Sequence, residues 1–408
     1  MIFAYKNSRL YAENIAVSDI AKQVGTPFYC YSKQQLTGNF LEFKNAFSGI
    51  DATICYALKS NSNHNIISLL QKLGSGADTV SEGEVRAALK AGISPDKIVF
   101  SGVGKTKREM EFGLRSNIGQ FNVESIEEIE LLNEVAGKLG VKAPVSIRVN
   151  PDVDAKTHDK ISTGRKSDKF GIAWEDVFLV FDKAKHLKNI DIQGITTHIG
   201  SQITSLEPYK AAFHKVAELF KTLREMGYNL ARLDLGGGIG IKYKDENPIK
   251  ISDYADIIKE VIKPLNVKLF LEPGRRISGN AGILVSEVQY IKKTIERDFA
   301  IIDAGMNDLA RPAVYGAYHE IISVDEGLEQ HNIYDVVGPV CESSDIFGKE
   351  RRLKELRSGD LLAILCAGAY GASMSSVYNL RPLIPEIMVD GDKVEIIRKR
   401  QTYEELLG

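Results

Sequence analysis

The sequence predicts an α/β protein, a (β/α)8 TIM barrel followed by a C-terminal β-barrel or β-sandwich domain that N-terminal strands complete. Three observations carry that expectation. Eight short segments rich in β-branched and aromatic residues recur between Thr53 and Gly274. The stretches between them carry helical period, as in Val216, Leu219, Phe220 and Leu223, or Ile258, Val261, Ile262 and Leu265, spaced i, i+3, i+4, i+7. Beyond Gly274 that period fades and strand-like runs follow one another.

The opening stretch, residues 1 to 27, offers short strand-like pieces, and TPFYCYS (Thr26 to Ser32) has the aromatic content of a strand. The eight segments are then TICYAL, GADTV, KIVFSG, GQFNV, PVSIRVN, GITTHIG, RLDLGG and KLFLEPG. Strands alternating with amphipathic helices suit a closed barrel, and a doubly wound open sheet is the alternative. The strand ends favour the barrel. They carry Lys59, Asp78, Ser101, Asn122, Arg148 with Asn150, His198, Gly236 to Gly238 and Glu272. A barrel gathers polar groups from every strand at one mouth, whereas an open sheet concentrates them at its switch point. After the barrel come ILVSEVQYI, FAIIDAG, YHEIISV, YDVVGPV and DLLAILCAG. The hairpin signal PEIMVDGDKVEIIRKR closes the set, with turn chemistry at Asp390 and Gly391. The expected division is a barrel over 28–276 and a β-rich domain built from 1–27 and 277–408.

At 408 residues the chain exceeds one core of ordinary size, which agrees with two domains. A formal net charge of −2 with 26% charged residues gives no electrostatic case for nucleic acid or an anionic membrane. Cys30, Cys55, Cys341 and Cys366 form no CxxC pair, and the seven histidines show no HExxH spacing, so neither a disulfide frame nor a metal site is expected. The N-terminus, MIFAYKNSRLYAEN, lacks a signal-peptide core, and no apolar run approaches the roughly 20 residues a membrane span needs. A cytoplasmic protein is expected.

The chemistry centres on ICYALKSN, where a buried strand delivers Lys59 into small polar residues. Such a lysine either reaches solvent or sits in a cavity where desolvation makes its amine nucleophilic. GGGIG (Gly236 to Gly240) follows the seventh strand, where glycine turns either make a tight loop or close backbone N–H groups around a phosphate. It is not a dinucleotide fingerprint, because it follows the seventh strand rather than opening a βαβ unit. The eighth strand ends EPGRR, a second glycine turn beside Glu272. A nucleophilic lysine, a phosphate cradle and a buried acid together are what pyridoxal phosphate requires, and His198 either stacks on its ring or serves the structure alone.

Beyond single motifs, YALKSN, NPDVDAKTHDKISTGRKSDKFGI, THIGSQI, LDLGGGIGIKY, LEPGR, DAGMNDLARPAVYGAYHEI, GPVCESSD and GAYGASMSSVYNLRP run through nearly the whole chain. On these segments the sequence resembles the diaminopimelate decarboxylase family, in the alanine-racemase-like, fold-type III group of pyridoxal-phosphate enzymes. The resemblance implies pyridoxal 5'-phosphate as cofactor, decarboxylation of meso-2,6-diaminopimelate to L-lysine and CO2, and a homodimer with shared active sites. It makes Lys59 the Schiff-base lysine, His198 the ring-stacking residue and Glu272 the partner of the pyridine nitrogen. Gly238, Gly274 and Arg275 become phosphate-side contacts, with Arg275 also reaching substrate. Arg311 and Tyr315 become contacts to the substrate carboxylate and Glu342 the contact to the distal amine. Cys341 becomes the proton donor, and Tyr370 touches cofactor and substrate. Val377 and Leu383 depart from the pattern, standing where asparagine and arginine are usual.

The nearest alternative is a decarboxylase of lysine, ornithine or arginine, whose substrates would leave Arg311 without a carboxylate partner. A racemase of this group would place an arginine, not Glu272, against the pyridine nitrogen. A non-catalytic binding homologue would have no need of Lys59 and Cys341.

Overall fold

The protein is described by a computed structural model covering residues 2–155, 163–164, 168–326 and 331–408. The middle of the motif NPDVDAKTHDKISTGRKSDKFGI, 156–162 and 165–167, lies outside the described residues. The chain divides into two compact units, Phe40–Ile241 with Asn247–Gly274, and Met1–Asn39 with Lys242–Glu246 and Arg275–Gly408. These limits fall at 39/40 and 274/275, where the sequence suggested 28 and 276, and five residues after the seventh barrel strand belong to the β-rich unit.

Four short strands precede the barrel: β1 (Phe3–Lys6), β2 (Arg9–Ala12), β3 (Ile15–Ala16) and β4 (Phe28–Ser32). The barrel strands are β5 (Ala52–Ala57), β6 (Gly76–Thr79), β7 (Ile98–Phe100), β8 (Gln120–Val123), β9 (Ala143–Arg148), β10 (Ile190–Thr196), β11 (Arg232–Asp234) and β12 (Lys268–Leu271). All eight are parallel and close on themselves, with β12 pairing β5 through Leu269 opposite Ala52. Each of the eight expected segments therefore supplies one strand. Three of the following helices start on the same local signal, Ser or Thr with Glu three residues on. The hydroxyls of Ser81, Thr106 and Ser125 accept from the N–H groups of Glu84, Glu109 and Glu128, fixing where the chain turns from strand end into helix.

Part of the barrel interior is polar. Gln120 and Asn122 alternate on β8 and so share one face. The Gln120 amide donates to Asn122 Oδ1 at 2.8 Å and to Asp234 Oδ2 at 3.1 Å. Strands β8 and β11 are not neighbours in the barrel order, so this bond to Asp234 spans the lumen. Buried polar groups need such partners, and here they collect at one end of the strands.

The β-rich unit contains β13 (Gly282–Lys293), β14 (Asp298–Ile302), β15 (Ile321–Ser323), β16 (His331–Val337), β17 (Ile346–Lys354), β18 (Leu361–Ile364), β19 (Glu386–Asp390) and β20 (Lys393–Arg398). With β4 they form a nine-stranded mixed sheet among the described residues, while β1 to β3 make a separate three-stranded sheet. Strand β4 is central, antiparallel to β13 and parallel to β19, so TPFYCYS belongs to this sheet. The strand missing from the sequence expectation is β17: IFGKERRLK alternates too little apolar character to announce itself. The hairpin of β19 and β20 turns at Asp390 and Lys393, around Gly391 as expected.

Candidate active site

Lys59 lies in a single 3-10 turn, Leu58–Ser60, directly after β5. Its Nζ is 2.7 Å from Asp78 Oδ2 at the end of β6, and the aspartate is fully buried. The other carboxylate oxygen, Oδ1, has no hydrogen-bond partner among the described residues. A buried acceptor left open in this way marks a place where a further donor is welcome.

Glu272 and Asp234 are buried as well. Burial raises the Glu272 carboxyl well above its ordinary range, and the charges of Asp234 and Asp78 push it further, with Lys59 opposing. Asp234 is also raised by burial, while the N–H of Gly236 and a hydrogen bond from Glu272 hold it down. The proton therefore resides on Glu272, which donates to the Asp234 carboxylate. Asn122 Nδ2 lies 3.4 Å from Glu272 Oε1 and 2.9 Å from Ser101 Oγ, so the acid is oriented from a third strand.

His198 is neutral, because burial and the cations Lys59 and Arg148 disfavour its charged form. Its Nδ1 accepts from the Gly237 N–H at 3.2 Å, which leaves the ring hydrogen on Nε2. This contact needs the glycine turn. A Cβ at Gly237 would collide with the carbonyl oxygen of Glu272, and Gly238, at φ +100°, would meet that of Gly200. At Gly274 a Cβ would lie 3.0 Å from that of Ser60, so this second turn packs directly behind the Lys59 segment.

The β-rich unit holds a second cluster. The buried Arg275 donates from Nη1 to the Tyr243 hydroxyl at 2.7 Å, and its guanidinium lies 4.7 Å from the Tyr370 ring centroid. Arg311, also buried, stacks 4.6 Å from the Tyr243 ring and is 2.7 Å from His319 Nε2. No carboxylate forms an ion pair with Arg311 among the described residues; its main charged neighbour is another cation, Arg275. Tyr315 is one helical turn on, in Arg311–Tyr315, and Tyr370 takes a left-handed φ of 55°. A bulky residue held there signals over-determined packing.

Cys341 and Glu342 are exposed. The Cys341 N–H donates to Asn379 Oδ1 at 3.2 Å, and Tyr378 donates to Glu342 Oε1 at 2.8 Å. Val377, beside that tyrosine, is exposed, and the Leu383 N–H donates to the Gln401 side chain.

Residues 33–279 match the family described as pyridoxal-dependent decarboxylase, pyridoxal binding domain. The chain belongs to the pyridoxal-dependent decarboxylases. It is 49% identical over 406 residues to diaminopimelate decarboxylase of Haemophilus influenzae, covering 99% of this chain and 98% of that one. The Aquifex aeolicus diaminopimelate decarboxylase is 46% identical over 98% of this chain and 95% of its own length. A crystal structure of diaminopimelate decarboxylase from Helicobacter pylori complexed with L-lysine superposes with a TM-score of 0.92 at 46% identity, covering 95% of this chain and 98% of that one.

A pyridoxal-dependent decarboxylase needs an amine to bond the cofactor and an acid for its ring nitrogen. The barrel supplies both, in Lys59 beside a half-open buried aspartate and in the proton-bearing Glu272, with side-chain-free turns at Gly237, Gly238 and Gly274; this donor set fits the group. Of the positions named from sequence, Lys59, His198, Gly238, Glu272 and Gly274 lie at the barrel's strand ends. Arg275, Arg311, Tyr315 and Tyr370 cluster in the β-rich unit, where Cys341 and Glu342 also lie. Sequence reasoning missed Asp234, two residues before a glycine run, and Tyr243 and His319, which lie in the mixed polar stretches IKYKDEN and AYHEI and carry no local signal.

Proposed function

We propose that the chain decarboxylates meso-2,6-diaminopimelate at its D-configured end to L-lysine and CO2, the last step of lysine biosynthesis. The observation that carries this reading is Arg311, a buried guanidinium with no acidic partner among the described residues. Arginine grips carboxylates through two parallel hydrogen bonds, and diaminopimelate keeps a carboxylate at its far end, which lysine or ornithine as substrate does not.

Bound pyridoxal phosphate supplies the electron sink for the pair left on Cα when CO2 departs. Lys59 would hold the cofactor through its amine. Glu272 keeps a proton at the pyridine nitrogen, and Asp234 holds Glu272 in place. His198 presents its neutral ring to the cofactor face. Gly238, Gly274 and Arg275 receive the phosphate. Arg311, Tyr315 and Arg275 bind the substrate carboxylate, Glu342 the distal amine, and Tyr370 contacts both molecules. Cys341 returns the proton to Cα.

The protein acts as a homodimer, Cys341 and Glu342 serving the partner subunit's cofactor; their exposure supports this, since a residue used by a neighbour must reach the surface. It works in the cytoplasm, as four free thiols agree, and no helix among the described residues is long and apolar enough to cross a membrane.

The test is CO2 release from meso-diaminopimelate, its LL isomer, lysine and ornithine. Release from the meso isomer should dominate; preference for lysine or ornithine would replace the reading with the alternative decarboxylase.

A further inference from the structure

We propose that His319 is the positioning residue of Arg311, accepting a hydrogen bond from its guanidinium so that the fork is fixed while its charge stays uncompensated for the substrate's distal carboxylate. The inference rests on the diaminopimelate reading and adds to it the group that makes the anion site selective.

The geometry alone assigns the ring's hydrogen. His319 Nδ1 is 2.8 Å from the Leu365 carbonyl oxygen, which only accepts, so Nδ1 carries a hydrogen. Nε2 is 2.7 Å from Arg311 Nη1, and a guanidinium N–H only donates, so Nε2 is bare. The imidazole is therefore neutral. Burial and the neighbouring Arg311 agree, pushing its pKa down to about 3, and the other groups facing it, Arg275 and Arg351, are cations as well.

The choice of acceptor matters. A carboxylate in place of His319 would hold Arg311 more tightly, but it would cancel the charge and compete with the incoming carboxylate. Bare solvent would leave the long side chain free to turn. A neutral acceptor orients the guanidinium and leaves its attraction for an anion intact.

His319 is itself held on every side. It precedes β15, which pairs β18 through Ile321 and Ile364, and Leu365 follows at the end of β18. The Leu365 N–H donates to the Glu320 carbonyl at 2.8 Å, and Arg351 Nη2 donates to the His319 carbonyl at 3.2 Å. Tyr243 meets the imidazole edge-on, with centroids 5.2 Å apart, while its face supports Arg311. Ring, guanidinium and tyrosine thus form one packed block.

The test separates the two hydrogen bonds. His319→Asn keeps a donor near the Nδ1 position, toward Leu365, and removes the acceptor for Arg311. His319→Gln restores an acceptor near the Nε2 position. The readouts are KM and kcat for meso-diaminopimelate and equilibrium binding to the holoenzyme of L-lysine against 1,5-diaminopentane, which has no carboxylate. The asparagine variant should raise KM about tenfold or more with kcat little changed, as expected for losing a hydrogen bond to a charged group. It should also lose the preference for lysine over the diamine, and the glutamine variant should recover both. Equal effects of the two variants, or an asparagine variant that keeps the preference, would overturn the assignment. Should the asparagine variant fail to fold, 15N spectra of histidine-labelled parent decide: a bare Nε2 at neutral pH supports the proposal, and a hydrogen there overturns it. A parent that binds lysine over the diamine but releases no CO2 from diaminopimelate would refute the functional reading and leave the role of His319 standing.

Discussion

The two clusters of this molecule store opposite charge, and they do so under different constraints. At the barrel's strand ends, Asp78, Asp234 and Glu272 are buried, and Lys59 pairs with the first of them. In the β-rich unit, Arg275 and Arg311 are buried among tyrosines and a neutral histidine. An excess of acid can relieve itself by taking up a proton, and Glu272 does so. An excess of arginine cannot, because the guanidinium does not deprotonate in proteins. The barrel cluster therefore holds a proton ready for use, whereas Arg311 keeps its full charge for an anion. Burying uncompensated charge costs stability, so both clusters are better explained by chemistry than by folding.

Removing Lys59 breaks the comparison most severely. Lys59→Ala should abolish CO2 release, by several orders of magnitude, together with the absorbance of bound cofactor, because the same amine anchors the group and opens the route to substrate. Near-parental turnover in this variant would end the assignment.

The arginine cluster should respond differently. Arg311→Ala leaves the substrate carboxylate buried without a partner, at a cost of about 3 to 5 kcal/mol, or roughly two to four decades in kcat/KM for diaminopimelate. Cofactor absorbance should persist, since the barrel residues are untouched. Equal loss of both signals would show that the two clusters are not functionally separate.

Mixing Lys59→Ala chains with Cys341→Ala chains asks whether the clusters serve one chain or two. If each site borrows Cys341 from the partner, random exchange makes half the dimers mixed, each with one intact centre, and about a quarter of parental activity returns. Absence of recovery after verified exchange would confine the site to a single chain.

The barrel was legible because its signal repeats: a buried strand and an amphipathic helix recur eight times, and every strand end carries a polar group. The site was legible in proportion to chemical rarity. Lys59 after an apolar strand and three successive glycines before Ile239 are uncommon local events. Asp234 and His319 are not, for Asp234 meets Glu272 38 residues on, and the His319 ring is oriented by Leu365, 46 residues on. The placement of β4 was hidden for a related reason. FYCYS is apolar throughout, which suits a central strand in either unit, and only its pairing with β13 and β19 decides between them. Strand β17 was hidden by its charge, since the pairing with β16 is made by backbone groups that sequence pattern does not display.

The smallest effect isolates the barrel's acid excess without touching the lysine pair. Glu84, at the start of the helix after β6, accepts from the Val80 N–H at 2.7 Å. Burial raises its pKa from 4.5 to about 7; the Asp78 charge adds to this, while the Val80 bond and Lys59 oppose it. Between those two values the folded chain keeps a proton that the unfolded chain has released. Stability from this group is thus full below about pH 4.5 and falls as pH rises toward 7, with the whole change on the order of 3 kcal/mol. Glu84→Gln cannot titrate, so its melting temperature should fall less than that of the parent between pH 5 and pH 7.5, and the two curves should run parallel above that window. Replacing Arg311 by a neutral residue would leave the slope alone, because a guanidinium releases no proton there. Parallel curves across the whole window would mean that Glu84 is ionised when folded, and that the barrel's acid excess is smaller than its geometry implies.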